Sequence, residues 1–154
     1  MLIGIPPLFS PDALHALRSM GHGDEVALVD CNYPSLEHAR RLVRADGSSL
    51  IEVLTALIAI MPLDRAVPEA IFRTGQNNGP AQFAPIHHEI DAACGKLAPG
   101  YTVRPLAGAE FYPRVRSAFL VIATGERCLF ANAILRKGVI HPDDMADEGP
   151  FGDH

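Results

Sequence analysis

One short run of unbroken apolar residues, "VALV" (26–29), constrains what this chain can fold into more than any other feature, and "FLVIAT" (119–124) reads as a further strand. A strand with one face in water alternates apolar and polar residues; "VALV" does not, so both its faces must be covered. Strands of that kind belong to a sheet with a helix layer on either side. Helix signals are present to supply those layers. Ser10 before Pro11 and Asp12 is an N-cap with proline at the first helical position, Leu14 and Leu17 share a face, and Gly21 is a stop. Ser49 and Glu52 have the spacing of a capping box ahead of a helix that buries Leu50, Val53, Leu54, Leu57 and Ile58 and ends before Pro62. "PIHHEIDAACGKL" predicts a third helix closing near Gly95, and a short fourth starts at about Tyr112.

Further strands are expected at "EAIFRT" (69–74) and near "YTVRPL", with "GQNNGP" as a turn between elements. "GERC" reads as a tight turn, which would make "LFANAIL" (129–135) the antiparallel hairpin partner of the strand before it. The expected architecture is α/β: a three-layer α/β/α domain over residues 1–140, with a mixed, mostly buried sheet and helices on both faces. A flexible acidic tail is expected over 141–154, where proline, glycine and acids dominate.

Composition removes several classes of function. With 13 Lys and Arg against 18 Asp and Glu the formal charge is −5, and no basic stripe is present to follow a phosphate backbone, so no nucleic-acid partner is expected. The longest apolar run, "LTALIAIM", is too short to cross a bilayer, so no membrane partner is expected either. Cys31, Cys94 and Cys128 are odd in number and widely spaced, which predicts buried free thiols in a reducing, cytoplasmic setting. His87 and His88 are adjacent and leave a helix on different faces, so no metal site is expected there. "GERCLFAN" lacks the glycine pattern of a phosphate-cradling loop.

Candidate chemistry is concentrated in "GHGDEVALVD". His22 lies between two glycines, where backbone approaches a ligand closely and an imidazole stays partly wet. Asp30 closes the apolar run, and a carboxylate at the carboxyl end of a buried strand lies where open α/β sheets bind ligands. Arg44 and Asp46 read either as supporting groups or as a surface ion pair beside a helix start.

The stretches "SPDALHALRSMGHGDEVALVDCNYP", "RADG", "MPLD", "EFYPRVRSAFLVIATGE" and "FANAILRKGV", in that order, resemble the sugar mutarotase family of D-ribose pyranase and L-fucose mutarotase, nearer its fucose branch. The resemblance implies an isomerase that interconverts the α and β anomers of a free monosaccharide, L-fucose first among candidates, by acid/base ring opening and closure. It implies no cofactor and no metal. It also implies a homo-oligomer, commonly a decameric ring, with sites between neighbouring subunits.

By the same resemblance His22 is the acid/base, and Asp30 and Asn132 bind sugar together with Phe130 and Ala131 of the same segment. Arg44, Asp46, Glu110 and Tyr112 are supporting candidates. Two positions depart from the family pattern: a tyrosine is Phe130 here, and a sugar-contacting Arg or His is Gly108, for which Arg104, Glu110 or Arg114 could substitute. A ribose-type pyranase, a mutarotase for another sugar and a non-catalytic sugar-binding module are the alternative readings. Geometry adds a condition. Residues 26–30, if extended, span roughly 13 Å at about 3.3 Å per step. His22 and Asp30 therefore share a site only if "GHGDE" folds back or if a neighbouring subunit completes the site. "FANAILRKGV" is expected to be an edge strand that carries Asn132 into that neighbour.

Overall fold

The computed structural model describes residues 1–145. Six strands form one mixed sheet: β1 (Glu25–Val29), β2 (Leu42–Ala45), β3 (Ile71–Thr74), β4 (Val103–Leu106), β5 (Leu120–Thr124) and β6 (Ala133–Arg136). Their order is β2-β5-β1-β6-β3-β4. β1 pairs parallel with β5, β5 with β2 and β3 with β4, whereas β6 is antiparallel to both β1 and β3. Five strands therefore run one way and β6 alone runs back.

The unbroken apolar run of β1 is doubly covered, as expected, and β5 beside it is covered in the same way. Val26, Leu28, Leu120 and Ile122 face a core built with α1 (Pro11–Ser19), α3 (Leu50–Ile60) and α4 (Pro85–Leu97). Ala27, Val29, Val121 and Ala123 face a second core with Phe111 and Val115 of α5 (Gly108–Ser117). The period-2 alternation of side chains sends successive residues of one strand to opposite helix layers. The caps follow the sequence: Ala13 N donates to Ser10 Oγ, and the Ser49–Glu52 capping box closes from both sides.

Four expectations change. β5 and β6 are not a hairpin, because β1 is inserted between them and the eight residues from Gly125 to Asn132 pass across its end. Phe130, at φ +58°, is in a left-handed conformation that a strand cannot contain, so β6 starts at Ala133 rather than at residue 129. For the same reason "FANAILRKGV" is no edge: β6 is central, and the edges are β2 and β4. Cys31 and Cys128 lie exposed in the loops after β1 and β5, and only Cys94 is buried.

Two elements carried no sequence signal. These are β2, whose Val43 alone is buried, and α2 (Ser35–His38), a single turn. α5 begins at Gly108, four residues before the expected start, with Pro113 within it. Of the expected tail, Pro142–Met145 form a short 3-10 helix and residues 146–154 lie outside the described residues.

Candidate active site

The strand directions sort the candidate residues onto two opposite ends of the sheet. His22 precedes β1 and Asp30 follows it, so the length of β1 separates them.

At the first end, the two glycines around His22 are explained by a turn. Asp24 N donates to Gly21 O at 3.2 Å and Asp24 Oδ2 accepts from Gly21 N at 2.8 Å. Gly23 has φ +84°, the value that a type II turn takes at its third residue, and a Cβ there would come within 3.0 Å of the Arg136 guanidinium. The turn is tied to the end of β6 by Gly23 N donating to Lys137 O and Lys137 N to Asp24 O. It holds His22 with its side chain 48% exposed and Nε2 3.1 Å from Asp64 Oδ1.

Asp64 itself is 2% exposed. It accepts from Arg136 Nε at 2.8 Å and from Ala66 N at 2.9 Å. The Arg136 hydrogen bond holds its carboxyl down at about 2, so it remains a carboxylate behind the imidazole. A cleft of about 710 Å³, within the size range of small-molecule sites, opens beside His22 and is lined by Arg18, Met20, Met61, Lys137 and Ile140.

At the second end, Asp30 is 5% exposed, and burial pushes its carboxyl above the usual range against the lowering effect of its hydrogen bonds. Asn32 N donates to Asp30 Oδ1 at 2.9 Å. Asn132 is bound into the backbone on both sides. Its Oδ1 accepts from Asp30 N at 2.9 Å, and its carbonyl accepts from Thr74 N at 3.1 Å. Asn132 thereby joins β1 to β3 across the start of β6.

The left-handed turn at Phe130 is fixed through its carbonyl, which accepts from Thr74 Oγ1 at 2.6 Å and from His87 Nε2 at 2.9 Å. Because Ala84 N donates to His87 Nδ1, the ring is the Nε2–H tautomer, and burial lowers its pKa. Ala131, fully buried, follows directly. Beside Asp30, Tyr33 stacks on Tyr112 with ring centroids 5.9 Å apart, and its hydroxyl meets His38 Nδ1 at 2.9 Å. Arg116 donates to His38 Nε2 at 3.0 Å, so Nδ1 carries the proton and donates to Tyr33. Burial pushes the Tyr33 phenol upward, and Tyr33 is a neutral wall of this end.

The supporting candidates divide. Tyr112 belongs to the aromatic wall at the Asp30 end. Arg44 and Asp46 form an exposed bidentate pair (3.0 and 2.8 Å) at the end of edge strand β2, two strands from Asp30. Glu110 faces Arg104 at 3.6 Å on the outer surface. Arg114 is committed to Glu25 at 2.6–3.0 Å and lies over the Phe72 ring. Asp64, Arg136, Tyr33 and His38 were missed. Asp64 was visible only as part of "MPLD", and its link to Arg136, 72 residues away, leaves no local pattern.

The sequence pattern of the RbsD / FucU transport protein family matches residues 3–140. The fucose mutarotase of Bos taurus is 37% identical over 161 residues, covering 94% of this chain and 98% of its own length. The crystal structure of the Streptococcus pneumoniae fucose mutarotase in complex with L-fucose superposes with a TM-score of 0.80 at 37% identity, over 91% of this chain and all of that one. Bacillus subtilis RbsD complexed with D-ribose shares the fold, with a TM-score of 0.71 at 19% identity over 92% of this chain and all of that one. A match along residues 3–140, with an α/β fold like that of the fucose mutarotase structure, makes this chain a member of the RbsD / FucU transport protein family.

Proposed function

We propose that this protein is an isomerase that interconverts the α and β anomers of L-fucose. The observation that carries the reading is His22 itself: an imidazole raised into solvent on a glycine turn, with an ionised, almost fully buried carboxylate behind Nε2. Similarity to fucose mutarotases along nearly the full chain supports both the reaction and the sugar.

Mutarotation moves the proton of the anomeric hydroxyl to the ring oxygen while the bond between C1 and that oxygen breaks. Reclosure on the other carbonyl face reverses the transfer. Both oxygens are attached to the same carbon, so one imidazole that accepts the first proton is close to the atom that needs it. Asp64 steadies the imidazolium formed in between, and such a proton carrier contributes about 10²- to 10⁴-fold. Asp30 accepts hydrogen bonds from sugar hydroxyls, and Phe130 and Asn132 line the sugar beside it, while Ala131, fully buried between them, supports the segment from beneath.

The two ends meet in a homo-oligomer. With β1 between them, His22 and Asp30 serve one sugar only if the His22 end of one subunit faces the Asp30 end of the next. A head-to-tail contact of this kind closes into a ring, and a decamer is the assembly we assign. Exposed Leu36 and Leu129 at the Asp30 end, and Val139 and Ile140 at the rim of the His22 cleft, supply apolar surface for it. Its free thiols fit a cytoplasmic enzyme.

The test is saturation-transfer NMR of anomeric protons with L-fucose, D-ribose, D-galactose and L-rhamnose. Enzyme-dependent exchange greatest for L-fucose is expected. Exchange greatest for ribose would assign the pyranase reaction, and none with any sugar would leave a binding module.

A further inference from the structure

Gly108 is the first residue of α5, and no side chain of its own projects toward the Asp30 end of the sheet. Another residue takes that space. A Cβ on Gly108 would stand 2.9 Å from Asn78 Cβ and 3.0 Å from Asn78 Cγ, too close for either to stay. Asn78 comes from the loop after β3, beside Thr74 and therefore on the same crest as Asn132 and Asp30. Asn77 and Asn78 are both left-handed, at φ +54° and +60°, a conformation that asparagine tolerates better than most residues.

The loop is cross-tied by Asn78 N donating to Gly75 O and Gln76 N to Gln82 O. Asn78 Oδ1 accepts from the Tyr112 hydroxyl at 3.3 Å, and Tyr112 in turn stacks on Tyr33 beside Asp30. The half-buried Asn78 side chain is thus held by its oxygen. Its amide nitrogen, a donor of two hydrogens, has no protein partner among the described residues. The charged groups nearest in sequence to Gly108 do not compete for this role: Arg104 and Glu110 face each other at the outer edge, and Arg114 is held by Glu25.

On the reading that the Asp30 end binds the sugar, we infer that Asn78 is a specificity-determining residue that donates a hydrogen bond from its amide to a sugar hydroxyl. The absence of a side chain at Gly108 is what admits it. Gly108 and Asn78 then act as one unit, a glycine on α5 matched to an asparagine on the β3 loop.

The experiment measures L-fucose anomer exchange against sugar concentration for the full chain and for Asn78→Ala, Asn78→Asp, Gly108→Ala and the Asn78→Ala/Gly108→Ala pair. Asn78→Ala is expected to raise the half-saturating concentration roughly three- to tenfold, the size of one neutral hydrogen bond. Asn78→Asp keeps the acceptor for Tyr112 and removes the donor, so it should match Asn78→Ala. Gly108→Ala expels the Asn78 side chain and should do the same, with the pair no worse than either single change. Wild-type half-saturation in Asn78→Ala overturns the inference. So does full rescue by Asn78→Asp, which would leave only a role in supporting Tyr112.

If Gly108→Ala does not fold, the two Asn78 variants decide. Calorimetric titration with L-fucose separates this inference from the reading beneath it. Binding weakened by Asn78→Ala without wild-type exchange removes the catalytic reading and keeps Asn78, whereas no binding by the wild type overturns both.

Discussion

His22 gains its position from backbone rather than from packing, which separates the catalytic role proposed for it from any contribution to stability. Replacing it with alanine is expected to lower enzyme-dependent anomer exchange about 10²-fold or more with little change in melting temperature, because a half-exposed side chain on a turn fills no cavity. His22→Gln should do no better, since an amide carries no proton near neutrality; line-broadening of the anomeric resonances with the spontaneous rate subtracted is the readout. Asn132 is the opposite case. Its side chain satisfies the buried Asp30 N–H, so Asn132→Ala should destabilise the fold by about 1–3 kcal/mol, measured by chemical denaturation, and also weaken sugar binding. The contrast marks what the sequence could show at this scale. Glycines around a histidine and an aspartate after an apolar run are local signals, whereas the partners Asp64 and Arg136 meet only through the fold.

At the scale of elements, the loop across the end of β1 decides more than any helix. Its passage moves β6 from the expected hairpin to a central place between β1 and β3, and it sets Phe130 and Asn132 beside Asp30. Helix starts were legible because capping is local: Ser10, Ser49 and Glu52 do what their spacing says. Strand order was not, because eight residues that could have closed a hairpin with slack equally reach over one strand. β2 escaped notice because a four-residue edge strand with one buried side chain has no periodicity to read.

The loop is clamped by His87 from α4, and this yields a pH dependence. Burial lowers the His87 pKa in the folded state, so below the ordinary value of 6.5 the unfolded chain binds more protons than the folded one. Stability is therefore whole above that value and falls as pH drops through the window beneath it. Melting temperature followed from roughly pH 7.5 to 5.5 should fall more steeply for the wild type than for His87→Gln; parallel curves would show that His87 is not the group responsible.

For the whole molecule, the proposed reading makes the sheet a spacer between two half-sites. One end holds an imidazole backed by a carboxylate, and the other holds Asp30, the Phe130–Asn132 segment and an aromatic wall. Sedimentation at micromolar protein is expected to show a closed oligomer and no monomer. The assembly's role in the chemistry is tested most directly by mixing. His22→Gln and Asp30→Asn subunits, each weak alone, are co-expressed with different tags, and the mixed oligomers are purified and measured for L-fucose exchange below half-saturation. If each site joins His22 of one copy to Asp30 of the next, about a quarter of the sites in a random ring regain both groups, and activity rises well above either parent. Activity no greater than the average of the two parents would place both groups in one subunit's site and contradict the account.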